Sequence, residues 1–396
     1  MLSQRFQRFL VIKLADLGDA VLALPAVQAL RDTYPRARID VLTTPIGSQV
    51  FQLSPVVDSC ITVDKTRYQQ PQNALDPRTW LELLHLAVRL RRARYDAVFL
   101  LHHLTLPSGR LKYRTLLAMT GAPVRAGLDN GTGSFLTHPV PDRGFGTQPE
   151  WQYALEVVKT VGVAGGGGPP HLAVPVEAQQ EAAALLAIGS VSAPLVVLHP
   201  GIGPYGPGRA WPPQYFATLA RGLLAAGCQV AATGTERERP LAAPLLAVSG
   251  VLDLVGRTSV AALAAVLKRA SLVIGADSGA LHLASAVGTP VLALFGPSNA
   301  AAWAPYASRI QRAGDPLQDA TSLALHAGMP CSPCFYIGYR LGRPEGCRRR
   351  TCLETIDPAV VLNAALTLLK RRGTGIRDPG PTVGSSEFCT SSSDVR

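Results

Sequence analysis

Two carboxylates stand where the first apolar run of the chain ends. In "KLADLGDAVLALPAVQAL" (13–30), a short strand pattern gives way to Asp16, Gly18 and Asp19, and a helical pattern follows. A strand-to-helix turn of a parallel sheet faces the ligand crevice. The helix dipole accounts for one acid at a helix N-terminus, but not for two. We therefore interpret this turn as the position of a general base. Pro25 predicts a kink or a later start of the helix.

A second strand-to-helix turn has the features of an anion site. In "VIGADSGALHLASAVGTPVLALFGPS" (273–298), an apolar strand is followed by Ser, a good N-cap residue, and by small residues that leave the first helical turn open. The exposed amides of that turn and the helix dipole favour an anion. An ordinary capped helix with a solvent-facing histidine is the alternative. The candidate residues are Asp277, Ser278, Gly279, Ala280 and His282.

A glycine-rich loop precedes this turn in the chain. "LVVLHPGIGPYGPGRAWPPQYF" (195–216) contains a literal G-x-G-x-x-G, but the helix pattern begins only after "WPP", so no helix N-terminus would face a pyrophosphate directly after the loop. We therefore favour a loop that carries Arg209 to a phosphate over a dinucleotide site. A plain surface loop is the alternative.

The next strand pattern ends in "AATGTERERP" (231–240), which offers Glu236 and Glu238. An acid at the carboxyl end of a strand is placed to accept hydrogen bonds from ribose hydroxyls. A solvated acid at a helix start is the other interpretation.

Four cysteines near the C-terminus have the spacing C-x₂-C-x₁₂-C-x₄-C, and they are Cys331, Cys334, Cys347 and Cys352. In a reducing compartment this spacing suits a structural zinc site, although free thiols would also account for it. We expect no catalytic role for such a metal.

Short apolar runs alternate with helical patterns along most of the chain, which predicts an α/β fold with doubly wound, mostly parallel sheets. A run of four glycines and two prolines after Val163 breaks the alternation. We expect a first domain at 1–165, a Gly/Pro-rich linker region at 166–185 and a second domain at 186–372 that includes the Cys-rich segment 331–352. The polar, turn-rich residues 373–396 are predicted to be disordered.

The charge composition indicates which classes of ligand or partner the chain can bind. The chain has 38 basic and 27 acidic residues, a net charge of +11, but no long basic tract. This favours an anionic small ligand or an anionic membrane surface over nucleic acid. The N-terminal run has no small-residue cleavage site and is interrupted by acids, and no window has the length of a membrane span. We expect a cytoplasmic protein.

Taken together, three stretches resemble the heptosyltransferases of glycosyltransferase family 9. "KLADLGDAVLALPAVQALR" resembles the N-terminal signature with its Gly-Asp pair and Leu-Pro-Ala segment, and "HPGIGPYGPGRAWP" resembles the loop of the second domain. "GADSGALHLASAVGTPVLALFGPS" resembles the Asp-Ser/Thr-Gly-x-x-His segment and the strand after it. Their order covers roughly residues 9 to 300.

The resemblance implies a GT-B architecture, in which two Rossmann-like domains face each other across a cleft. It implies an inverting, metal-independent transfer of heptose from ADP-heptose to a lipid-linked saccharide such as the lipopolysaccharide core, at the inner face of the plasma membrane. Asp19 would be the general base, and Asp16 and Gly18 would lie on the acceptor side. Arg209, where the family usually has Lys, would neutralise the diphosphate.

The same resemblance assigns the donor side. The amides of Ser278, Gly279 and Ala280 would hold the diphosphate, and the remaining contacts would come from Asp277, from His282 and from Glu236, or Glu238, on the ribose. The chain departs from the family at Pro149–Trp151, where members often carry a His. We expect His102 and His103 to compensate on the acceptor side, although a structural role is equally open. A nucleotide-sugar epimerase on the same fold and a non-catalytic nucleotide-binding protein are the alternative functions.

Overall fold

The first half of the molecule is a parallel sheet covered by helices. The computed structural model describes residues 6–65, 76–186, 193–203 and 206–373. Six strands pair in parallel in the order β3-β2-β1-β4-β5-β6. In chain order the elements are β1 (Arg8–Lys13), α1 (Leu17–Thr33), β2 (Arg38–Thr43), α2 (Pro45–Phe51), β3 (Ser59–Thr62), α3 (Pro77–Arg92), β4 (Ala97–Leu100), α4 (Pro107–Thr120), β5 (Val124–Asp129), β6 (His138–Pro141) and α5 (Glu150–Lys159).

The second half contains a parallel sheet of seven strands in the order β12-β13-β11-β10-β7-β8-β9. Its elements are α6 (Val176–Leu186), β7 (Leu195–His199), α7 (Pro213–Ala225), β8 (Gln229–Ala232), α8 (Arg239–Leu246), β9 (Val251–Asp253), α9 (Val260–Arg269), β10 (Leu272–Ala276), α10 (Gly279–Ala286), β11 (Val291–Phe295), α11 (Ala300–Trp303), β12 (Arg309–Arg312), β13 (Leu323–His326), α12 (Thr351–Glu354) and α13 (Pro358–Arg371), with short 3-10 turns at Pro207–Arg209 and Glu236–Glu238.

Both sheets reverse their strand order at an equivalent point. In the first sheet the reversal lies between β1 and β4, and in the second between β7 and β10. In open parallel sheets, ligands bind outside the carboxyl ends of the strands at this point. The turns that carry Asp19, His102, Arg209 and Asp277 each follow one of these four strands. The topology therefore collects most of the predicted site residues at two sheet edges.

The two halves share one continuous apolar cluster. Helix α1 packs on α10, and both α2 and α6 pack on α9. Helix α1 begins at Leu17 and continues through Pro25, so the later start considered for this helix is wrong. Every residue from Ala20 to Val27 is buried, and this packing outweighs the hydrogen bond that a proline removes from a helix.

Some elements differ from the sequence-based expectation. Residues Val176–Leu186, most of them assigned to the linker, form α6, which buries Ala178 and Ala182. The domain boundaries stay predictions, and the predicted tail lies, from residue 374 onward, outside the described residues. Among the helices of the described ranges, none is long and apolar enough to cross a membrane.

Candidate active site

The Asp19 carboxylate lies in the first turn of α1 and is partly buried. Its Oδ1 is 3.3 Å from Nζ of Lys13, the last residue of β1. The Lys13 ammonium also donates to the carbonyl of Leu101, at 3.1 Å. Burial raises the pKa of Asp19 above its usual 3.8, Lys13 lowers it in part, and the nearby charges of Asp16 and Glu150 raise it further. A carboxylate of raised pKa that is held by a fixed cation suits general-base chemistry.

Asp16 is the N-cap residue of α1, but its side chain makes no capping hydrogen bond. Its Oδ1 instead accepts from Nζ of Lys65, at 2.9 Å. The side chain is 48% exposed, so the Asp16–Lys65 pair borders solvent beside the Asp19 turn. Asp16 therefore acts on Asp19 as a like charge, and burial is the larger cause of the raised pKa.

His102 connects the ends of β1 and β4. Its Nε2 accepts the Leu14 N–H at 2.7 Å, and its ring stacks on Tyr113 with centroids 4.8 Å apart. Burial, followed by the positive charges of Lys13 and its neighbours, holds the pKa of His102 well below its usual 6.5. The ring is therefore neutral and braces the turn that carries Asp19.

His103 forms a buried charged triad with two carboxylates. Its Nδ1 is 2.9 Å from Oδ2 of Asp142, and its Nε2 is 3.1 Å from Oε1 of Glu150. Burial alone would lower the pKa of His103, but the bonds to Asp142 and Glu150 outweigh it and raise the pKa to about 9. Both ring nitrogens of His103 therefore have carboxylate partners within the protein. One of these partners, Glu150, lies in the stretch Pro149–Trp151 that departs from the family pattern.

On the opposite side of the cleft, the β10–α10 turn forms a cradle, which we define as residues 277–282. Ser278 is the N-cap residue of α10 but makes no side-chain capping bond. Its buried Oγ and the buried Nδ1 of His282 have no hydrogen-bond partner within the described ranges. Burial, partly opposed by Asp277, lowers the pKa of His282 to about 4. Because buried polar atoms rarely lack partners, this cradle fits a polar or anionic ligand.

Arg209 ends a 3-10 turn and reaches the same cradle. Its Nη1 is 3.1 Å from Oδ2 of Asp277, and its Nη2 donates to the Ile202 carbonyl at 2.9 Å. Burial opposes the positive charge, but Asp277 outweighs it and raises the pKa of the guanidinium. The structure therefore brings the predicted cation to the predicted anion site.

The two helix N-termini meet across the cleft at a pair of glycines. A Cβ built on Gly18 would lie 2.7 Å from Cδ2 of His282, and one on Gly279 would lie 3.1 Å from the Gly18 nitrogen. A side chain at either position would push the two turns or the His282 ring apart. It places the turn that carries Asp19 directly against the cradle.

The two acids after β8 have different surroundings. Glu238 accepts from the Thr235 N–H at 2.9 Å and, through its other oxygen, from the Gly203 N–H at 2.9 Å, so it supports the glycine-rich loop. Glu236 pairs with Arg239 at 2.8 Å, and its side chain is 69% exposed. Of the two, Glu236 is the more accessible to a ligand.

Sequence reasoning missed a contact between the halves. We define the clasp as residues 336–339 of the second half together with 142–146 of the first. The Phe145 N–H donates to the Gly338 carbonyl at 2.7 Å and the Gly338 N–H donates back at 3.3 Å, while the Tyr339 hydroxyl donates to the Asp142 carbonyl at 2.7 Å. The Tyr336 ring packs on Phe145, with centroids 5.4 Å apart. The sequence pattern that we recognised in this segment is the cysteine spacing, and that spacing does not predict a contact with the first half.

The zinc interpretation is not supported. Over the described part of the chain, no group of three or more His, Cys, Asp or Glu side chains is placed to hold a metal ion. The four thiols are free, and one is buried while three are exposed. Backbone bonds to distant loops shape this segment: the Cys334 N–H donates to Pro297, and Pro344 accepts from Gly208. These bonds attach the segment to the loops that contain Pro297 and Gly208.

Two doubly wound sheets facing each other across a cleft define a GT-B architecture. Residues 83–327 match the family described as glycosyltransferase family 9 (heptosyltransferase). Because this match spans more than half of the chain, the chain belongs to that family, and it is a glycosyltransferase. The sequence-based identification of the family is confirmed.

Curated relatives extend over most of the chain. Lipopolysaccharide heptosyltransferase 3 of Escherichia coli is 25% identical over 74% of this chain and 84% of its own length. Lipopolysaccharide heptosyltransferase 1 of Pseudomonas aeruginosa is 27% identical over 83% and 86%, respectively. The solved structure of E. coli ADP-heptose LPS heptosyltransferase II has a TM-score of 0.67 at 19% identity, covering 93% of this chain and 100% of that one. This structural likeness shows the fold.

Proposed function

We propose that the protein transfers heptose, with inversion and without a metal ion, from ADP-heptose to a lipid-linked saccharide such as the lipopolysaccharide core. The observation that carries the proposal is the placement of the Asp19 turn against the cradle, at the Gly18–Gly279 contact. The names of the relatives support heptose as the sugar and lipopolysaccharide as the acceptor class. ADP-heptose as the donor is supported by the similar E. coli structure, which is that of an ADP-heptose LPS heptosyltransferase.

In the proposed reaction, Asp19 removes the proton of an acceptor hydroxyl as that oxygen attacks the anomeric carbon. The bond from the anomeric carbon to the diphosphate oxygen breaks at the same time, which inverts the configuration. The Arg209 guanidinium and the amides at the start of α10 stabilise the charge that develops on the leaving diphosphate. Lys13 keeps the Asp19 carboxylate oriented, because its ammonium contacts both that carboxylate and the Leu101 carbonyl.

The first half would bind the acceptor and the second half the nucleotide sugar, with Glu236 on the ribose. We place the reaction in the cytoplasm, at the inner face of the plasma membrane, where a lipid-linked acceptor would be reached. The net charge of +11 supports contact with an anionic surface. No observation on the site favours an epimerase, which needs no acceptor and would show no acceptor-dependent release of nucleotide diphosphate.

The test is the release of ADP from ADP-heptose with and without a lipopolysaccharide-core acceptor. We expect release to depend on the acceptor, and Asp19→Asn to lower kcat by about 10³-fold while ADP affinity stays within about twofold. Because the raised pKa of Asp19 must be exceeded for the base to act, kcat should fall on the acid side at a pH above 3.8. Asp32→Asn, on an exposed position of the same helix, is the matched control.

Acceptor-independent release would contradict the transferase assignment. Parent-like kcat in Asp19→Asn would exclude Asp19 as the base.

A further inference from the structure

Large apolar side chains are exposed on two neighbouring helices of the first half. Of the ten exposed large apolar side chains in the described ranges, six lie on α3 and at the start of α4. Leu84 is 58% exposed and Leu111 is 67% exposed. We call this surface the α3–α4 face, and its apolar members are Trp80, Leu81, Leu84, Val88, Leu106 and Leu111.

The exposed apolar residues of α3 form a ridge on a different side of the helix from the residues that are buried in the core. Trp80, Leu84 and Val88 recur at intervals of four, so they lie along one side of the helix. A different side, with Leu86 and Leu90, is buried in the core. Helix α3 is thus apolar on two sides, and its fold requires only one of them.

Basic residues far outnumber acids on the two helices that form this face. Across α3 and α4 the only acid is Glu82. The basic residues of the two helices are Arg78, Arg89, Arg91, Arg92, Arg110, Lys112 and Arg114. An amphipathic helix with apolar residues on one side and Lys/Arg beside them is the pattern of a helix that lies in a membrane interface. The excess of positive charge matches anionic lipid headgroups.

The face lies at the acceptor end of the first sheet. Helix α4 starts just after the carboxyl end of β4, where His102 stacks on Tyr113 of α4. Helix α3 packs on α4 and runs back towards the amino end of β4, so its N-terminal half lies at the same edge. This is also the edge from which the β1–α1 turn presents Asp19.

We propose that the α3–α4 face docks on an anionic phospholipid bilayer, with the apolar ridge in the interface and the arginines on the headgroups. Docked in this way, the enzyme presents the Asp19 edge of its first sheet to saccharides that project from the lipid surface. The proposal rests on the proposed function only for the identity of that acceptor, since lipid binding itself needs no substrate.

The experiment is flotation of the full chain with two kinds of vesicles. One kind contains phosphatidylethanolamine with anionic phosphatidylglycerol, and the other contains phosphatidylcholine alone. We expect the parent to partition at least about tenfold more strongly to the anionic vesicles, and added salt to weaken the binding. The double variant Leu81→Ser/Leu84→Ser should lose about tenfold in partition coefficient.

A matched control removes exposed apolar side chains elsewhere. Val176→Ser/Ile310→Ser changes residues of the second half that are 63% and 41% exposed, and it should bind vesicles within about twofold of the parent. Melting temperatures of all variants show that they fold. ADP release with a delipidated, water-soluble acceptor should be the same for the parent and Leu81→Ser/Leu84→Ser, which separates docking from chemistry.

Three flotation results would overturn the proposal: a parent that does not float with anionic vesicles, a Leu81→Ser/Leu84→Ser variant that floats as well as the parent, or a control that loses as much binding. A parent dimer in light scattering that the Leu81→Ser/Leu84→Ser variant abolishes would assign the face to a second copy and also overturn it. Vesicle binding by a parent that transfers no heptose would contradict the proposed function and leave this inference standing.

Discussion

The two halves of the molecule share the order of their first five strands, but they differ in whether the polar groups at their ligand edges all have partners. In the first half the charged groups have partners: Lys13 with Asp19, Lys65 with Asp16, and His103 with Asp142 and Glu150. In the second half the cradle buries Ser278 Oγ and His282 Nδ1 without partners in the described residues. The first arrangement fixes a base before any substrate arrives, whereas the second provides groups that a ligand can bind.

Two serines make the same contrast within the second half. Ser259 and Ser278 are both N-cap residues, of α9 and α10. Ser259 Oγ accepts the Ala262 N–H at 3.1 Å, while Ser278 makes no capping bond. The Ser259 hydroxyl caps its helix. The Ser278 hydroxyl makes no hydrogen bond to the amides at the start of α10, which we assign to the diphosphate. Position in the helix is therefore not enough to tell a structural cap from a binding residue.

Among the substitutions that test this contrast, the largest effect is expected at the Arg209–Asp277 ion pair. Arg209→Ala should lower kcat/KM for ADP-heptose by about 100-fold, because it removes the cation and leaves the Asp277 carboxylate facing the diphosphate. Arg209→Lys, which keeps the charge but loses the planar fork, should lose less. Calorimetry with ADP and the ADP-release assay measure both variants. Parent-like ADP affinity in Arg209→Ala would remove Arg209 from the donor site.

The triad of the first half should matter for stability. His103→Gln should lower the free energy of unfolding by about 2–3 kcal/mol below pH 6.5. The folded-state pKa of His103 is raised, so its stabilisation is fully present below the unfolded value of 6.5 and is lost as the pH rises through about 9. The difference between parent and variant should therefore shrink across that window in urea titrations.

His171→Gln, at an exposed position, is the control for this titration. A difference between parent and His103→Gln that stays constant with pH would show that the triad is not ionised as described.

The smallest effect should come from the serine of the cradle. Ser278→Ala should leave the melting temperature of the free protein unchanged or slightly higher and weaken ADP binding about threefold, because its hydroxyl has a partner only when a ligand is bound. Ser259→Ala should do the reverse, with a loss of about 1 kcal/mol in stability and no change in ADP affinity. Equal destabilisation by both substitutions would abolish the distinction between the two serines.

Most interior strands of the two sheets were predictable because each is a short apolar run between helical patterns. Two of the edge strands were not: β6 reads His-Pro-Val-Pro, and β12 reads Arg-Ile-Gln-Arg. Proline is tolerated at a sheet edge, where one side of the strand forms no ladder bonds. Such strands are defined by the neighbour that they pair with, which a local pattern does not contain.

The candidate site residues also divide into those that a local pattern predicts and those that it does not. Asp19 and the cradle could be located because each stands at the end of a strand. The contact of Lys13 with Asp19 could not, although a lysine that ends an apolar strand is an available signal. The His103 triad joins residues 39 and 47 positions apart, and no periodicity predicts such a contact. The cysteine spacing left a structural metal and free thiols both open, and the described residues contain no group placed to hold a metal ion.

The clasp limits how far the two halves can separate without losing contacts. Gly144 has φ +82°, and a Cβ at this position would lie 2.8 Å from the backbone of Gly338. Wide separation of the two lobes must break the two Phe145–Gly338 hydrogen bonds and pull Tyr336 away from Phe145. Because residues 336–339 of the clasp belong to the Cys-rich segment, an insertion in that segment would displace these contacts with the first half.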